Sequence, residues 1–287
     1  MWRQVSARLN IMVAPCVEQQ YVAAKGCRGL VCKAADTVRE GEVLALVPYF
    51  VCTSPIIALA SPWGQRLAAA LSTYTLEESG VKVSYSKEAA LTTAFTALAM
   101  QPRSPLEAYL RQMQLDEGDN ASLAAALGPQ LTEHMNKIDA LNTMLIAQMH
   151  EDLSHWHIRV PMSDLVRAHR ACASRCVDVP GGEEVFGGPS LVPVVDLINH
   201  GITEPNVTVY VESTQRLGPL LRRHSRLNIM DTHLKADAFC VVIRATRDVM
   251  GGTEFTYPYI DPAEDPSLYA NKLYWASRFR FVPPGAA

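Results

Sequence analysis

The chain of 287 residues has no apolar run near the roughly 18 residues that a membrane span needs. Its best candidate, Ala58 to Leu71, is broken by Ser61, Pro62, Gln65 and Arg66, so a membrane partner is not expected. It lacks any Cys-x-x-Cys pair. The seven cysteines, at 16, 27, 32, 52, 172, 176 and 240, are scattered and odd in number, which argues against a structural zinc site and for a reducing compartment. It also lacks a His-Glu-x-x-His string. His150-Glu151 begins one, but Ser154 stands where the second imidazole belongs. His150, His155 and His157 therefore read as polar residues of a helix end, and no metal is expected. Nor is there an excess of either charge: 26 Lys and Arg against 29 Asp and Glu leave −3. That is too near neutral for wholesale binding to nucleic acid, so a partner must be recognised locally.

What is present is the composition of a soluble globular protein, 48% hydrophobic and 19% charged, long enough for two domains or one domain with an insertion. The first 20 residues carry Arg3 and Arg8 and no acid before Glu18, a charge pattern like that of a mitochondrial presequence but without a secretory core. The expected location is the cytoplasm or nucleus, with the mitochondrion as alternative.

From Tyr21 to Cys52, short β-branched runs such as Gly29 to Cys32 and Gly41 to Pro48 alternate with glycine and predict short strands. Composition then turns to Ala, Leu, Met and Gln in Ile56 to Leu71, Glu88 to Met100, Pro105 to Met113 and Gly128 to Leu153, which predicts a helical block. In the last of these, Leu131, Met135, Ile138, Leu141, Leu145 and Met149 recur at helical spacing and mark a buried face. A helix over Ser163 to Cys176, with Ser163 as N-cap, leads to the glycine turns at 181–182 and 187–188. Strand-like segments return at Val192 to Ile198, Asn206 to Glu212, Ala238 to Thr246 and Thr253 to Tyr259. An order of β, α, β predicts an α+β fold in which distant strands share one core and an all-helical subdomain is inserted. The divisions are an N-terminal extension 1–20, a first β part 21–54, a helical insert 55–160, and a second β part 161–287 that contains a basic insertion at 215–232.

Four segments carry chemistry. Lys25-Gly26-Cys27-Arg28-Gly29-Leu30-Val31 is a glycine turn entering a strand. Ser174-Arg175 ends a helix. Asp196-Leu197-Ile198-Asn199-His200, with Pro205-Asn206 downstream, places donors and acceptors at an apolar edge suited to a small polar ligand. Gly252-Thr253-Glu254-Phe255-Thr256-Tyr257-Pro258-Tyr259 is a turn followed by tyrosines of one strand.

In this order the four resemble the SET-domain protein methyltransferases, in the branch of the Rubisco large-subunit lysine methyltransferase, whose SET domain is split by a helical insert. The opening turn resembles Gly-Arg-Gly-Leu with Cys27 for the first glycine. The second β motif resembles Asp-x-x-Asn-His, and Gly252 to Tyr259 resembles Gly-Glu-Glu-Leu-Thr-Tyr-Asp-Tyr with Thr253 and Pro258 as departures. Asn271 to Val282 is similar to the closing aromatic segment of that branch, shifted by one residue.

The resemblance implies S-adenosyl-L-methionine as cofactor, held by backbone around Arg28, Gly29 and Leu30, by Asn199 and His200, by Arg175 at its carboxylate and by the aromatic wall of Phe281. It implies Tyr259 as catalytic residue, also lining the cofactor site, and Asp196, Tyr257 and Arg175 on the side of the substrate. The implied partner is a protein, methylated on a lysine side chain. A histidine target, or a degenerate SET module that only binds, are the alternatives. Cys27 introduces strain if its position needs a positive φ. The chain stops at Ala287, before the C-terminal substrate-binding domain usual in this branch, so substrate choice does not transfer. The insertion 215–232, with Arg216, Arg222, Arg223, His224 and Arg226, reads as a solvated hairpin tip rather than a basic arm for an acidic protein or RNA; a nucleic-acid partner is not expected.

Overall fold

A computed structural model of the chain describes residues 2–113, 120–201, 204–224, 227, 238–260 and 263–286. Within the stretch 1–20, expected as an N-terminal extension, Val5, Leu9, Ile11, Ala14, Cys16 and Val17 belong to the core. Helix α1 (Trp2–Arg8) buries Val5, and Leu9 and Ile11 follow it inward. Strand β1 (Met12–Val13) and the start of β2 (Val17–Val22) lie in the same stretch.

Strand β2 pairs antiparallel with β3 (Cys27–Cys32), from Val17 opposite Cys32 to Val22 opposite Cys27. The hairpin turns through a short 3-10 segment ending at Gly26, whose φ of 65° is a left-handed conformation that glycine adopts without a Cβ clash. Strand β4 (Thr37–Val38) leads to β5 (Val43–Pro48), in which all six residues are buried. Burying each Val or Leu of such a strand contributes about 1.5–3 kcal/mol.

The insert begins with two helices where one is predicted over Ile56 to Leu71. Helix α2 (Pro55–Leu59) and α3 (Pro62–Ala70) each start at a serine N-cap, Ser54 and Ser61, followed by proline at the first helical position. A new cap and a proline ring end the first helix and start the second. The insert is also not purely helical. Strands β6 (Tyr74–Glu78) and β7 (Val81–Tyr85) form an antiparallel hairpin, with Tyr74 opposite Tyr85. Their alternating polar residues lie between stronger helical signals.

Helix α4 (Lys87–Ala99), α5 (Glu107–Gln112), α6 (Asn120–His155) and α7 (Met162–Arg175) follow. Helix α6 breaks at Gly128, φ 75° and ψ 170°, and restarts at Pro129. The predicted stripe of α6 is buried at Met135, Leu141, Leu145 and Met149. Helix α7 is capped by Pro161 without a side-chain bond, not by Ser163.

Strand β8 (Cys176–Val177), helix α8 (Glu183–Phe186) and strand β9 (Ser190–Leu191) lead to β10 (Asn199–His200). The predicted strand over Val192 to Ile198 is instead a 3-10 turn at Val195–Leu197, entered through Val194 at φ 75°. Strand β11 (Val207–Ser213) runs directly into helix α9 (Thr214–His224). The part of the insertion up to His224 is thus helical where a hairpin tip is predicted, and Leu217 and Leu221 are buried; of the rest, to residue 232, only Leu227 is among the described residues. The side chains of Arg222, Arg223 and His224, and all of Arg226, lie outside the described residues.

The chain closes with strands β12 (Phe239–Ala245), β13 (Val249–Met250) and β14 (Thr256–Tyr257) and helices α10 (Pro266–Ala270) and α11 (Lys272–Phe279). The main sheet has the order β1-β5-β12-β11, all antiparallel. Strands from residues 12–48 and 207–245 therefore share one sheet across the helical insert. The architecture is α+β, a SET-like arrangement of small sheets with a largely helical insert. Among the described residues no helix is long and apolar enough to cross a membrane.

Candidate active site

Three chain segments far apart in sequence run side by side at the site. The segment 252–257 lies against β3, with Phe255 N donating to Leu30 O at 2.7 Å, Cys32 N to Thr253 O at 2.9 Å, and a bridge between Val31 and Glu254. On its other side β14 pairs in parallel with β10, Asn199 opposite Thr256 and His200 opposite Tyr257. Asn206 clamps this edge like a short strand. Its Nδ2 donates to Glu254 O at 2.8 Å, and its Oδ1 accepts Thr256 N at 2.9 Å.

That packing sets the environment of each candidate residue. Tyr259 Oη donates to Ile198 O at 2.9 Å, and Tyr259 N donates to His200 Nδ1 at 3.1 Å. Burial raises the Tyr259 phenol above its ordinary range, against the charge of Arg175, so at neutral pH it is a neutral, oriented dipole. Since His200 Nδ1 accepts, the neutral ring carries its proton on Nε2, and Nε2 is buried with no partner among the described residues. Burial, followed by the charge of Lys25, lowers the His200 pKa to about 4. Around the imidazole stand Trp275, Tyr259, Tyr269 and Phe281, with ring centroids at 4.8, 5.4, 6.2 and 6.2 Å.

Asn199 Nδ2 donates to Glu254 Oε1 at 2.7 Å and to Arg28 O at 3.2 Å. Gly29 lies under this pair. A Cβ there would come within 2.5 Å of Glu254 Oε1 and 2.7 Å of Asn199 Nδ2, so glycine is required for the close approach. The opening turn thus offers backbone at Arg28 and Gly29. Leu30 is placed differently: its side chain is in the core and its carbonyl takes the Phe255 amide. Cys27 sits in β3, outside the residues with positive φ. The anticipated strain is absent, because Gly26 absorbs the left-handed turn.

Arg175, the last residue of α7, donates from Nη1 to Asp196 O. The Asp196 carboxyl is buried. Tyr109 Oη donates to its Oδ1 at 2.6 Å, and Oδ2 has no partner among the described residues. Burial raises the Asp196 pKa, with Arg175 and Tyr109 opposing. The same phenol accepts Val194 N at 2.7 Å, so one hydroxyl from the insert holds the entry and the middle of the strained turn before Asn199. Tyr257 and Tyr259 have ring centroids 5.1 Å apart, and Tyr259 and Phe279 lie at 5.0 Å. Burial holds Tyr257 well above the usual phenol range, so it too stays protonated.

The structure therefore brings Arg28, Gly29, Asn199, His200, Tyr257, Tyr259 and Phe281 to one place, with Arg175 and Asp196 adjoining. Sequence reasoning missed Lys25, Glu254, Tyr109, Trp275 and Phe279. Trp275 and Phe279 lie inside the aromatic segment already noted; Tyr109 carries no local signal, because its partners are 85 and 87 residues away.

No family model matches the sequence, and no curated protein matches it. Among solved structures, the chain is similar to the SET domain of LSMT bound to lysine and AdoHcy, at 16% identity and a TM-score of 0.65, over 99% of this chain and 57% of that one. It is also similar to Rubisco LSMT bound to sinefungin and monomethyllysine, and to Rubisco LSMT bound to AdoMet. Both stand at 15% identity and TM-score 0.62, over 99% of this chain and 56% of theirs. The chain thus spans a little over half the length of these solved chains. The likeness runs across nearly the whole chain, and the chain has the fold of the SET domain of Rubisco LSMT.

Proposed function

We propose that this chain is an S-adenosylmethionine-dependent protein methyltransferase acting on a lysine side chain. The observation that carries the reading is the parallel register of β10 with β14, which sets the Tyr259 phenol against Ile198 O beside Asn199 and His200. The solved chains of like fold hold AdoMet, AdoHcy, lysine and methyllysine.

The residues present fit that cofactor. Gly29 leaves room where any side chain would intrude, and His200 Nε2 is a buried donor without a partner among the described residues. Arg28, Gly29 and Asn199 would hold the amino-acid end and His200, Trp275 and Phe281 the aromatic end, with Arg175 supplying a cation for a carboxylate. When bound, S-adenosylmethionine supplies an electrophilic methyl group on a sulfonium.

The residues of the chain supply geometry rather than acid or base. An in-line displacement at a methyl carbon needs alignment and a neutral amine. Presenting lysine neutral at pH 7 costs about 4.6 kcal/mol relative to its free pKa. The aromatic walls of Tyr257, Tyr259 and Phe279 disfavour water around the ammonium and lower that cost. The protonated phenol of Tyr259, its hydrogen committed to Ile198 O, offers oxygen lone pairs that orient the amine.

The test is transfer of labelled methyl from S-adenosylmethionine into proteins of a cell extract, with methylated residues identified by mass spectrometry. Labelled lysine absent with Tyr259→Phe supports the reading. Labelled histidine would move the target, and no transfer together with no S-adenosylhomocysteine binding by folded protein would leave a partner-binding module.

A further inference from the structure

Helix α11 is closed by Arg280, whose backbone is left-handed at φ 61° and ψ 27° and whose amide donates to Ala276 O at 3.2 Å. A residue with a side chain seldom takes that conformation, because its Cβ crowds the following carbonyl, so contacts beyond the local chain must hold it here. The residues on either side both face the candidate site. The Phe279 ring lies 5.0 Å from that of Tyr259, and the Phe281 ring 6.2 Å from that of His200. The Arg280 side chain reaches helix α6 of the insert instead, where Nη1 donates to Asp139 Oδ2 at 3.0 Å and Nη2 to Asp139 Oδ1 at 2.6 Å.

Two parallel bonds from a planar guanidinium to one carboxylate fix orientation as well as distance. Apolar packing already joins the two helices, since Leu123, Leu127 and Met135 of α6 form a buried cluster with Ala276 of α11. What the fork adds is direction at one residue. It holds Arg280 against the insert, and the left-handed turn there carries Phe279 and Phe281 to the site. We infer that Asp139 and Arg280 are positioning residues, whose ion pair holds this turn and so sets the apolar wall against which the substrate amine is presented. The inference rests on the proposed function. With side chains 37% and 30% exposed, the pair adds little to stability, so its loss should be read in the site rather than in the melting temperature.

The experiment is the pH dependence of methyl transfer, from about pH 6 to pH 10, to an extract protein labelled by the unchanged chain. Transfer needs the neutral amine, and a loosened wall admits water that favours ammonium, so the rate should rise at higher pH. Asp139→Asn and Arg280→Lys are each expected to lower turnover at pH 7 about tenfold and to move the midpoint of the rate profile up by about one pH unit, which is the same factor. Lysine keeps the charge of Arg280 but not its fork. The double variant should shift no further than either single one, because both remove one interaction. Arg175, Asp196, Glu254, Arg278, Cys27 and Cys176 lie within charge range of the Tyr257 and Tyr259 phenols and are the same in every variant. The cation freed by Asp139→Asn would by charge alone move the midpoint down, so the direction separates the two causes. Thermal melts establish that each variant is folded. Midpoints that stay in place or move down in folded variants overturn the inference, as do additive shifts in the double variant. Absence of both transfer and S-adenosylhomocysteine binding in the unchanged protein overturns the proposed function and this inference with it.

Discussion

The phenol of Tyr259 spends its proton on the carbonyl of Ile198 at 2.9 Å, the residue directly before Asn199. A tyrosine from the end of the chain is thereby locked to the motif that holds the candidate cofactor residues, and the bond tethers its side chain to one conformation. Tyr259→Phe removes only the hydroxyl, a loss of about 1 kcal/mol in folding. Turnover is expected to fall by about a hundredfold or more, while S-adenosylhomocysteine still binds by calorimetry. Unchanged turnover would remove Tyr259 from the chemistry.

Gly29→Ala places a Cβ 2.5 Å from Glu254 Oε1 and 2.7 Å from Asn199 Nδ2. Both contacts are ends of side chains able to swing aside, so the melting temperature should move little. The displaced Asn199 and Glu254 leave the site misaligned, and turnover should fall by about a hundredfold. A variant with full activity would show that the close approach is not used.

Tyr109→Phe strips Asp196 Oδ1 of its donor and the Val194 amide of its acceptor. Leaving such groups unsatisfied in the core costs about 1–3 kcal/mol, expected as a drop of roughly 3–10 °C in melting temperature. The cost should shrink in an Asp196→Asn background, because the two residues share one network. Additive effects of the two substitutions would show that the contact carries no coupling.

His169 and His200 are both lowered to about pKa 4, chiefly by burial. Between that value and the free histidine value near 6.5, the unfolded chain binds more protons than the folded one, so stability rises with pH. Their contribution is complete above the unfolded value and is lost as pH falls through the window toward 4. Thermal melts from pH 7 to pH 4.5 should show a steady decline, and His169→Gln should make it shallower. A flat profile would mean that these rings protonate as readily in the folded protein as in the free chain.

Much of the site is legible in the sequence because its parts are local strings. Gly29, Asn199-His200 and Tyr259 announce themselves by residue type and neighbours, and the β, α, β order follows from composition. The stripe of α6 is legible for the same reason: helical periodicity is a property of neighbours three and four apart.

Other features depend on partners that no local pattern encodes. The turn at Val194 lies in an apolar run that reads as a strand, and only the Tyr109 hydroxyl and surrounding packing hold a β-branched residue at φ 75°. The helix at Thr214–His224 forms in a segment that reads as a polar tip, because Leu217 and Leu221 find a core to enter. Lys25 and Glu254 are unremarkable until β3 and the segment before β14 are brought together. By itself the sequence determined the class of fold and the motifs that carry Gly29, Asn199, His200 and Tyr259 of the candidate site, through patterns confined to neighbouring residues. Tertiary structure alone decided which charges meet, which turns bear strain and which polar atoms lie buried without partners, because those depend on contacts between segments far apart in the chain, from 85 residues for Tyr109 and Val194 to 175 for Lys25 and His200.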